Sequence, residues 1–455
     1  MKKIIVFLLV CVISIFGLLG CKNGNKGGKK SSKSSQTTSE SASHGEIPSN
    51  AVTITTEEDL NAIRNDLTAT YYLASDITLT SAFATIGDYD NPFSGTFNGN
   101  GYTISNMNIT SSVLSVDGSS LGYFAGMFAC ITGTVKNVTF KNFTVTIDAS
   151  SIASTDYLQI IKNAGSTETP ITDLDVHAGI VANNKGFIDS VNASVNISVK
   201  PENSIARVRA GAIAGKNSHK IANCVASGSV TSETTDGYGR VGGIAGYANT
   251  SNKIYSCTSS VDISAKTTNG GKINSGGIVG NMECGEISYC HSFGQITTNN
   301  LQKKKSAIGG LIGLIDNTDA YVLNSTTNAY EKSEKLIKNK TMNVTVRNNY
   351  SSGTVSENTS VKKGGAGGLI GEISVFATDD TLIYIADNST VSKTEGTLNL
   401  KGGFLGSYEV FDGVNTTAVT NLSDLGKKFV FSSNRCLYQD ALATQTDDIS
   451  VPERA

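Results

Sequence analysis

The stretch Gly276–Ile296, GGIVGNMECGEISYCHSFGQI, has too many glycines for a helix and too regular a pattern for a loop. Its glycine mark recurs along the chain. Gly126, Gly179, Gly211, Gly243, Gly277, Gly310, Gly368 and Gly403 follow one another at intervals of 53, 32, 32, 34, 33, 58 and 35 residues. A period near 33 is the mark of a repeat array, in which one structural unit stacks on the next. The two long intervals carry about 20 and 25 additional residues.

The unit has an internal grammar. IANCVASGSV begins at Ile221, IYSCTSSVDI at Ile254 and ISYCHSFGQI at Ile287, each 33 residues after the one before. Cys224, Ala226, Gly228 and Val230 alternate with more polar residues, the two-residue period of a half-buried strand. Ile221 stands three residues before Cys224, which breaks the alternation and predicts a bend or bulge between them. The segment GGIVG supplies a second short strand, and the end of each unit a third. Three short strands per 33 residues fit a parallel β-helix, an all-β solenoid whose units stack at the strand spacing. Cys224, Cys257 and Cys290 then form one internal ladder of buried free thiols, because equivalent side chains of parallel strands point the same way. His291 stands where Val225 and Thr258 stand, facing outward. The non-repeating turn Met282–Glu286 is the part of the opening stretch left to carry something particular to it.

These residues resemble the GLUG motif of bacterial surface proteins, in essence G-G-L-V-G, a variable gap, then G-x-I-x-N-C-x-A-x-G. The unit at Ile221 matches best. Ser256 and Tyr289 replace its Asn223, and Val191 replaces the Cys. The resemblance covers roughly Gly126 to Gly406, and it implies a right-handed parallel β-helix in an adhesin-like surface protein. GLUG repeats also occur in some IgA-cleaving bacterial peptidases. No H-E-x-x-H occurs here, so the resemblance does not reach their zinc centre.

The N-terminus reads as an address. Lys2 and Lys3 precede an apolar core, Ile4 to Leu19, of 16 residues, short for a membrane-spanning helix and suited to an export signal. Leu18-Leu19-Gly20-Cys21 resembles the bacterial lipobox, which implies cleavage after Gly20 and lipid attachment at Cys21. An ordinary secreted protein and an anchoring helix are the alternatives. Residues 21–50, rich in Lys, Gly and Ser, read as a disordered tether. Residues 51–125 are expected to hold a cap and the first coils. Thr56 can cap a short helix with Asp59, and Leu60, Ile63 and Leu67 share its apolar face. Tyr71–Thr80 and Phe93–Ile109 read as the first strands. Residues 126–415 form the repeat region, with insertions near 148–177 and 314–343, and 416–455 a C-terminal cap or tail. Each insertion reads as a binding loop or as a tolerated surface extension, the second being the default.

The chemistry offered by the sequence is sparse. The chain has 455 residues, 47 Gly, no Trp and a formal net charge of -2, a near-zero balance that gives no reason to expect nucleic-acid binding. Four histidines are scattered, and no C-x-x-C occurs. Asp173 and Asp175, and Asp88 and Asp90, are the nearest approach to paired carboxylates. Neither pair has the ligand set of a calcium loop, so both are expected as solvated turn residues. No catalytic residue, metal ligand or cofactor is assigned. The expected function is a non-catalytic, lipid-anchored protein of the bacterial cell envelope. It meets the membrane through its N-terminal lipid and uses its scaffold to bind a host protein or a glycan. A β-helix polysaccharide lyase or hydrolase, and a purely structural envelope component, are the alternatives. A groove in which three or more Asp, Glu, Lys, Arg or His converge would favour the enzyme.

Overall fold

In the computed structural model, the opening stretch passes through three sheets in turn. Lys272–Gly276 is a strand of a nine-stranded sheet, here sheet C. Val279–Met282 follows in an eight-stranded sheet B. Gly285–Ser288, His291–Ser292 and Ile296–Asn300 then lie in a 23-stranded sheet A. Neighbouring units pair with this one in parallel: Val279 lies between Ala245 and Ile312, and Ile287 between Ile254 and Val346. The structure describes residues 44–436, apart from 118–119, 149–172, 202–205, 270, 301–305, 318–320, 325–328, 333–341, 360–363, 378–380, 397–399 and 413–428. The segment read above as an export signal and the expected attachment site Cys21 lie outside these residues. The chain is nearly all β, and its three large sheets are built from parallel strands apart from Val113–Asp117, which pairs antiparallel with Ser120–Ala125 at one edge of sheet C.

The glycines of GGIVG answer three separate packing demands. A Cβ on Gly276 would lie 2.1 Å from the Val279 carbonyl oxygen, across the turn from sheet C to sheet B. On Gly277 it would lie 1.8 Å from Ser292 Oγ in sheet A and 2.3 Å from the Gly310 carbonyl of the next unit. On Gly280 it would meet the backbone nitrogen of Val241 at 2.5 Å, in a sheet C strand of the preceding unit. Each approach is closer than a side chain permits, so the motif marks where sheets B and C nearly touch.

The predicted bend is real. Asn223, Ser256, Tyr289, Asn348 and Asp387 occupy the same place in five successive units, and all have φ between +53° and +55°. The left-handed residue turns the strand and lets the residue after it point back into the core. There Cys224, Cys257 and Cys290 are fully buried free thiols, as the register implies. Cys224 and Cys290 give their S–H to the carbonyls of Ala222, at 3.0 Å, and Ser288, at 3.4 Å. Burial pushes both thiols well above their ordinary pKa. Beyond Cys290 the row continues as Asn349, Asn388 and Asn434. Asn349 Nδ2 donates to Asn388 Oδ1 at 2.9 Å, and Asn388 Nδ2 to Asn434 Oδ1 at 3.0 Å. Stacked amides thus replace stacked thiols without leaving these donors unpaired.

At the N-terminal side, Thr56 and Asp59 form a capping box on the helix Glu57–Ala62, and Leu60 and Ile63 enter the apolar core. The helix follows directly on Val52–Ile54, which pairs with Thr70–Leu73. Order begins before residue 51. The His44 ring stacks on Tyr102 with centroids 3.7 Å apart, and Gly45 N donates to Asn100 Oδ1 at 2.8 Å. The insertions also start or end away from the positions expected. The first gives way at Asp173, not after 177, because Leu174, Val176 and Ala178 alternate into the core as a sheet C strand. Near the second, the sheet B strand runs on through Asp316. An antiparallel hairpin of Tyr321–Asn324 and Ala329–Lys332 lies beyond it.

Candidate functional site

The strand Asp173–Ala178 overturns one expectation directly. Asp175 is no solvated turn carboxylate: it is 1% exposed, within sheet C. Leu174 and Val176 take the core face, so Asp175 and His177 face the other side. Arg207 and Arg209 stand beside them in register on the next strand, and Arg240 stands beside Arg209 on the one after. Because the Gly-rich corner brings sheet B so close, these side chains meet those of sheet B and are enclosed. A buried seam results.

Its contacts are charge-assisted and short. Arg207 Nε donates to Asp175 Oδ1 at 2.6 Å, and Arg209 Nη1 to Asp175 Oδ2 at 2.7 Å. Arg209 Nη1 also lies 3.1 Å from His177 Nε2. The His177 ring stacks on Phe124 at 4.8 Å. Arg209 and Arg240 lie over the face of Tyr247 from sheet B, at 4.9 and 4.6 Å. The Tyr247 hydroxyl donates to Glu283. Further along, Lys272 and Asp316 face each other at 4.0 Å, and Asn274 Nδ2 reaches Asn281 Oδ1 at 3.4 Å.

Electrostatics in the seam follow from burial and pairing. Burial pushes the Asp175 pKa up, but the guanidiniums of Arg209 and Arg207 outweigh it and hold the carboxyl well below the usual range. Burial, reinforced by the charge of Arg209, pushes the His177 imidazole well below its ordinary pKa. Burial also lowers Arg240 and raises the Tyr247 phenol. The seam therefore favours an ionised acid, a neutral imidazole and a protonated phenol. His177 is 0%, Arg240 4% and Arg209 6% exposed. Converging charged groups are present, but they are closed off and committed to one another.

A second buried carboxyl behaves oppositely. Glu357 lies in the strand Thr354–Thr359, next to Thr298 on one side and Gly396 on the other. Neither of its oxygens has a hydrogen-bond partner among the described residues. Burial pushes its pKa up to about 8, against a smaller opposing pull from Lys401.

The outer face of sheet A is different again. In the opening stretch, Tyr289 is 53% and Phe293 44% exposed, and His291 is exposed between them. Tyr350, in register beside His291, joins them from the next unit. His291 stands nearly perpendicular to Phe293 (6.1 Å, 79°) and to Tyr350 (6.2 Å, 84°). Phe293 and Tyr350 lie 5.9 Å apart. At the border, Arg347 donates to Glu286 at 3.0 Å. The particular residues of the opening stretch are therefore Tyr289, His291 and Phe293. In the expected turn, Met282 is core, Glu283 belongs to the seam and Glu286 is paired with Arg347.

Of the other sequence candidates, Asp88 is the turn residue expected, with Oδ1 accepting from Asp90 N at 2.8 Å and Asn91 N at 2.6 Å. Among the described residues, no group of three or more His, Cys, Asp or Glu is placed to hold a metal ion. No helix among them is long and apolar enough to cross a membrane.

No protein-family model and no curated protein matches the chain. Among solved structures it is similar to a "putative immunoglobulin A1 protease" from Bacteroides ovatus, at 15% identity and a TM-score of 0.40. The likeness covers 77% of this chain and 84% of that one.

Proposed function

We propose that the chain is a non-catalytic binding scaffold of the bacterial envelope, wound as a right-handed parallel β-helix and anchored by a lipid on Cys21 after cleavage at Gly20. Residues 21–43 tether it, and the outer face of sheet A meets a host protein or a glycan. The observation that carries this reading is the ring cluster of exposed His291 and Phe293 with half-buried Tyr350, and exposed Tyr289 nearby in the same strand region, on a sheet face otherwise rich in Ser and Thr. Exposed aromatic groups of this kind mark interaction sites, since water solvates them poorly and they pack well on a partner.

The enzyme reading draws on the convergence of Asp175, His177, Arg209, Arg240 and Tyr247. Their burial counts against it: a general acid or base must reach the proton it transfers. Binding of the full-length protein to glycans and extracellular-matrix proteins, with assays of polysaccharide cleavage alongside, tests the choice. Binding without turnover is expected. Cleavage that disappears in Asp175→Asn or Tyr247→Phe would make the seam an active site and defeat the scaffold.

A further inference from the structure

We infer that the aromatic cluster on sheet A is a site for a neutral, linear oligosaccharide, whose sugar rings lay their apolar faces on Phe293, Tyr289 and Tyr350. The inference rests on the reading of this face as the binding face and names the class of ligand it takes.

Four observations point to a sugar. First, three of the rings are fixed in advance. His291 stands edge-on against Phe293 and Tyr350, and Phe293 and Tyr350 lie 5.9 Å apart, so little freedom of these side chains is lost when a ligand settles on them; Tyr289 stands exposed two residues before His291. Second, the patch is small. A stable protein partner needs about 800 Å² and roughly 20–30 residues on each side. Here the apolar surface stops within one unit in either direction: Thr258 and Ser389 hold the register positions flanking His291 and Tyr350. Third, the rim is made of short hydroxyls and an amide, Thr258, Ser260, Ser352, Ser389 and Gln295, which suit sugar hydroxyls. The bordering charges are of both signs: Arg347 pairs with Glu286, Lys253 stands in register beside Glu286, and Asp262 accepts from Gln295 N, so no single charge class of ligand is favoured. Fourth, Tyr289 stands at φ +55° where the neighbouring units place Ser256 and Asn348. A bulky side chain in the left-handed region is unfavourable, and such strain collects at binding sites. Stacked units repeat at about 4.8 Å, close to the length of one pyranose residue, so two adjacent sugars can meet the two units that carry the rings.

The test is calorimetric titration of the full-length protein with cello-, manno- and chito-hexaose, with oligogalacturonate as the acidic arm and fibronectin and collagen as protein arms. Tyr289→Asn and Phe293→Ser install residues that neighbouring units carry at the same place, Asn348 and Ser352, so the fold survives them. Val225→Thr, two units away on the same face, serves as control. The expected result is binding of at least one neutral hexaose, weakened tenfold or more by each cluster variant and unchanged by the control. No neutral saccharide bound, equal binding by Phe293→Ser, or preference for the acidic arm would overturn the inference. If only a protein arm binds and the cluster variants abolish it, the sugar falls while the binding face stands. If a ligand binds and no cluster variant weakens it, both fall.

Discussion

The B–C seam and the outer face of sheet A both gather reactive-looking side chains, and they do so under opposite conditions. In the seam, Asp175, Arg207, Arg209, His177 and Tyr247 converge within hydrogen-bond or stacking distance, and nearly all of their surface is taken up by one another. On the outer face, Tyr289 and Phe293 leave about half their surface to solvent, and Ser260 and Ser352 hold the positions beside Phe293 in the neighbouring units. Convergence alone would have placed the function in the seam. Exposure is the reason we propose the aromatic face instead, because a buried charge is stabilised by the groups around it and has little left to offer a ligand. The seam locks strand register between two sheets that nearly touch.

The sharpest way to break this contrast is Asp175→Ala. It leaves the guanidinium of Arg209 buried without its carboxylate, and removing one partner of a buried pair costs about 3–5 kcal/mol. Chemical denaturation should show that loss, while binding at the aromatic face is unchanged where the variant is folded. The pH dependence has a definite sign. The Asp175 pKa is depressed in the folded state, so its stabilisation is complete above the unfolded value of 3.8 and is lost as pH falls below it.

Glu357 sharpens the contrast by showing a buried carboxyl without a hydrogen-bond partner among the described residues. Its folded pKa of about 8 lies above the ordinary glutamate value of 4.5. The sign is therefore reversed: the folded state is favoured below pH 4.5, and stability declines as pH rises to about 8. Glu357→Gln should stabilise the protein at pH 8 by about 2–4 kcal/mol, since each tenfold change in proton affinity is worth about 1.36 kcal/mol and the carboxyl is not wholly cut off from water. The gain should vanish near pH 4. Thermal melts of both proteins from pH 4 to 9 would check this, and parallel curves would show that Glu357 titrates normally.

What the sequence revealed and what it hid divide along the same line. The period, the three strands, the bend before Cys224 and the inward thiols were legible because each recurs every 33 residues or depends on a few adjacent ones. The helix cap was legible from Thr56 and Asp59 alone. The seam was not, since Asp175, Arg209, Arg240 and Tyr247 belong to three units. Only the closeness of sheets B and C turns their outward faces into an interior. The aromatic face was missed for another reason: Tyr and Phe in an alternating strand read as core, and the register had already given the core positions to Ile287, Cys290 and Ile296. Counting outward positions for bulky residues would have found it.

Tyr289→Asn separates stability from binding on the open face. The left-handed backbone at Tyr289 costs an ordinary L-residue about 1–2 kcal/mol, and Asn tolerates it better. The variant should be more stable by about 1 kcal/mol, seen as a higher midpoint in urea, while ligand binding falls. A residue that lowers stability and raises binding is what a functional position looks like; the corresponding change in the seam moves stability alone.

Phe293→Ser gives the smallest stability effect and so the cleanest test. Its ring is 44% exposed and lies on the outer face, away from the core, and serine already occupies the corresponding positions 260 and 352. Exposed substitutions of this kind stay within about 0.5 kcal/mol of neutral. A measurable midpoint shift would mean that the ring supports His291 and Tyr350 structurally, and the open face would then be a second packed cluster. An unchanged midpoint with lost binding requires the opposite: the ring is held out in water at a standing cost in hydration, and only a partner that covers it makes use of its surface.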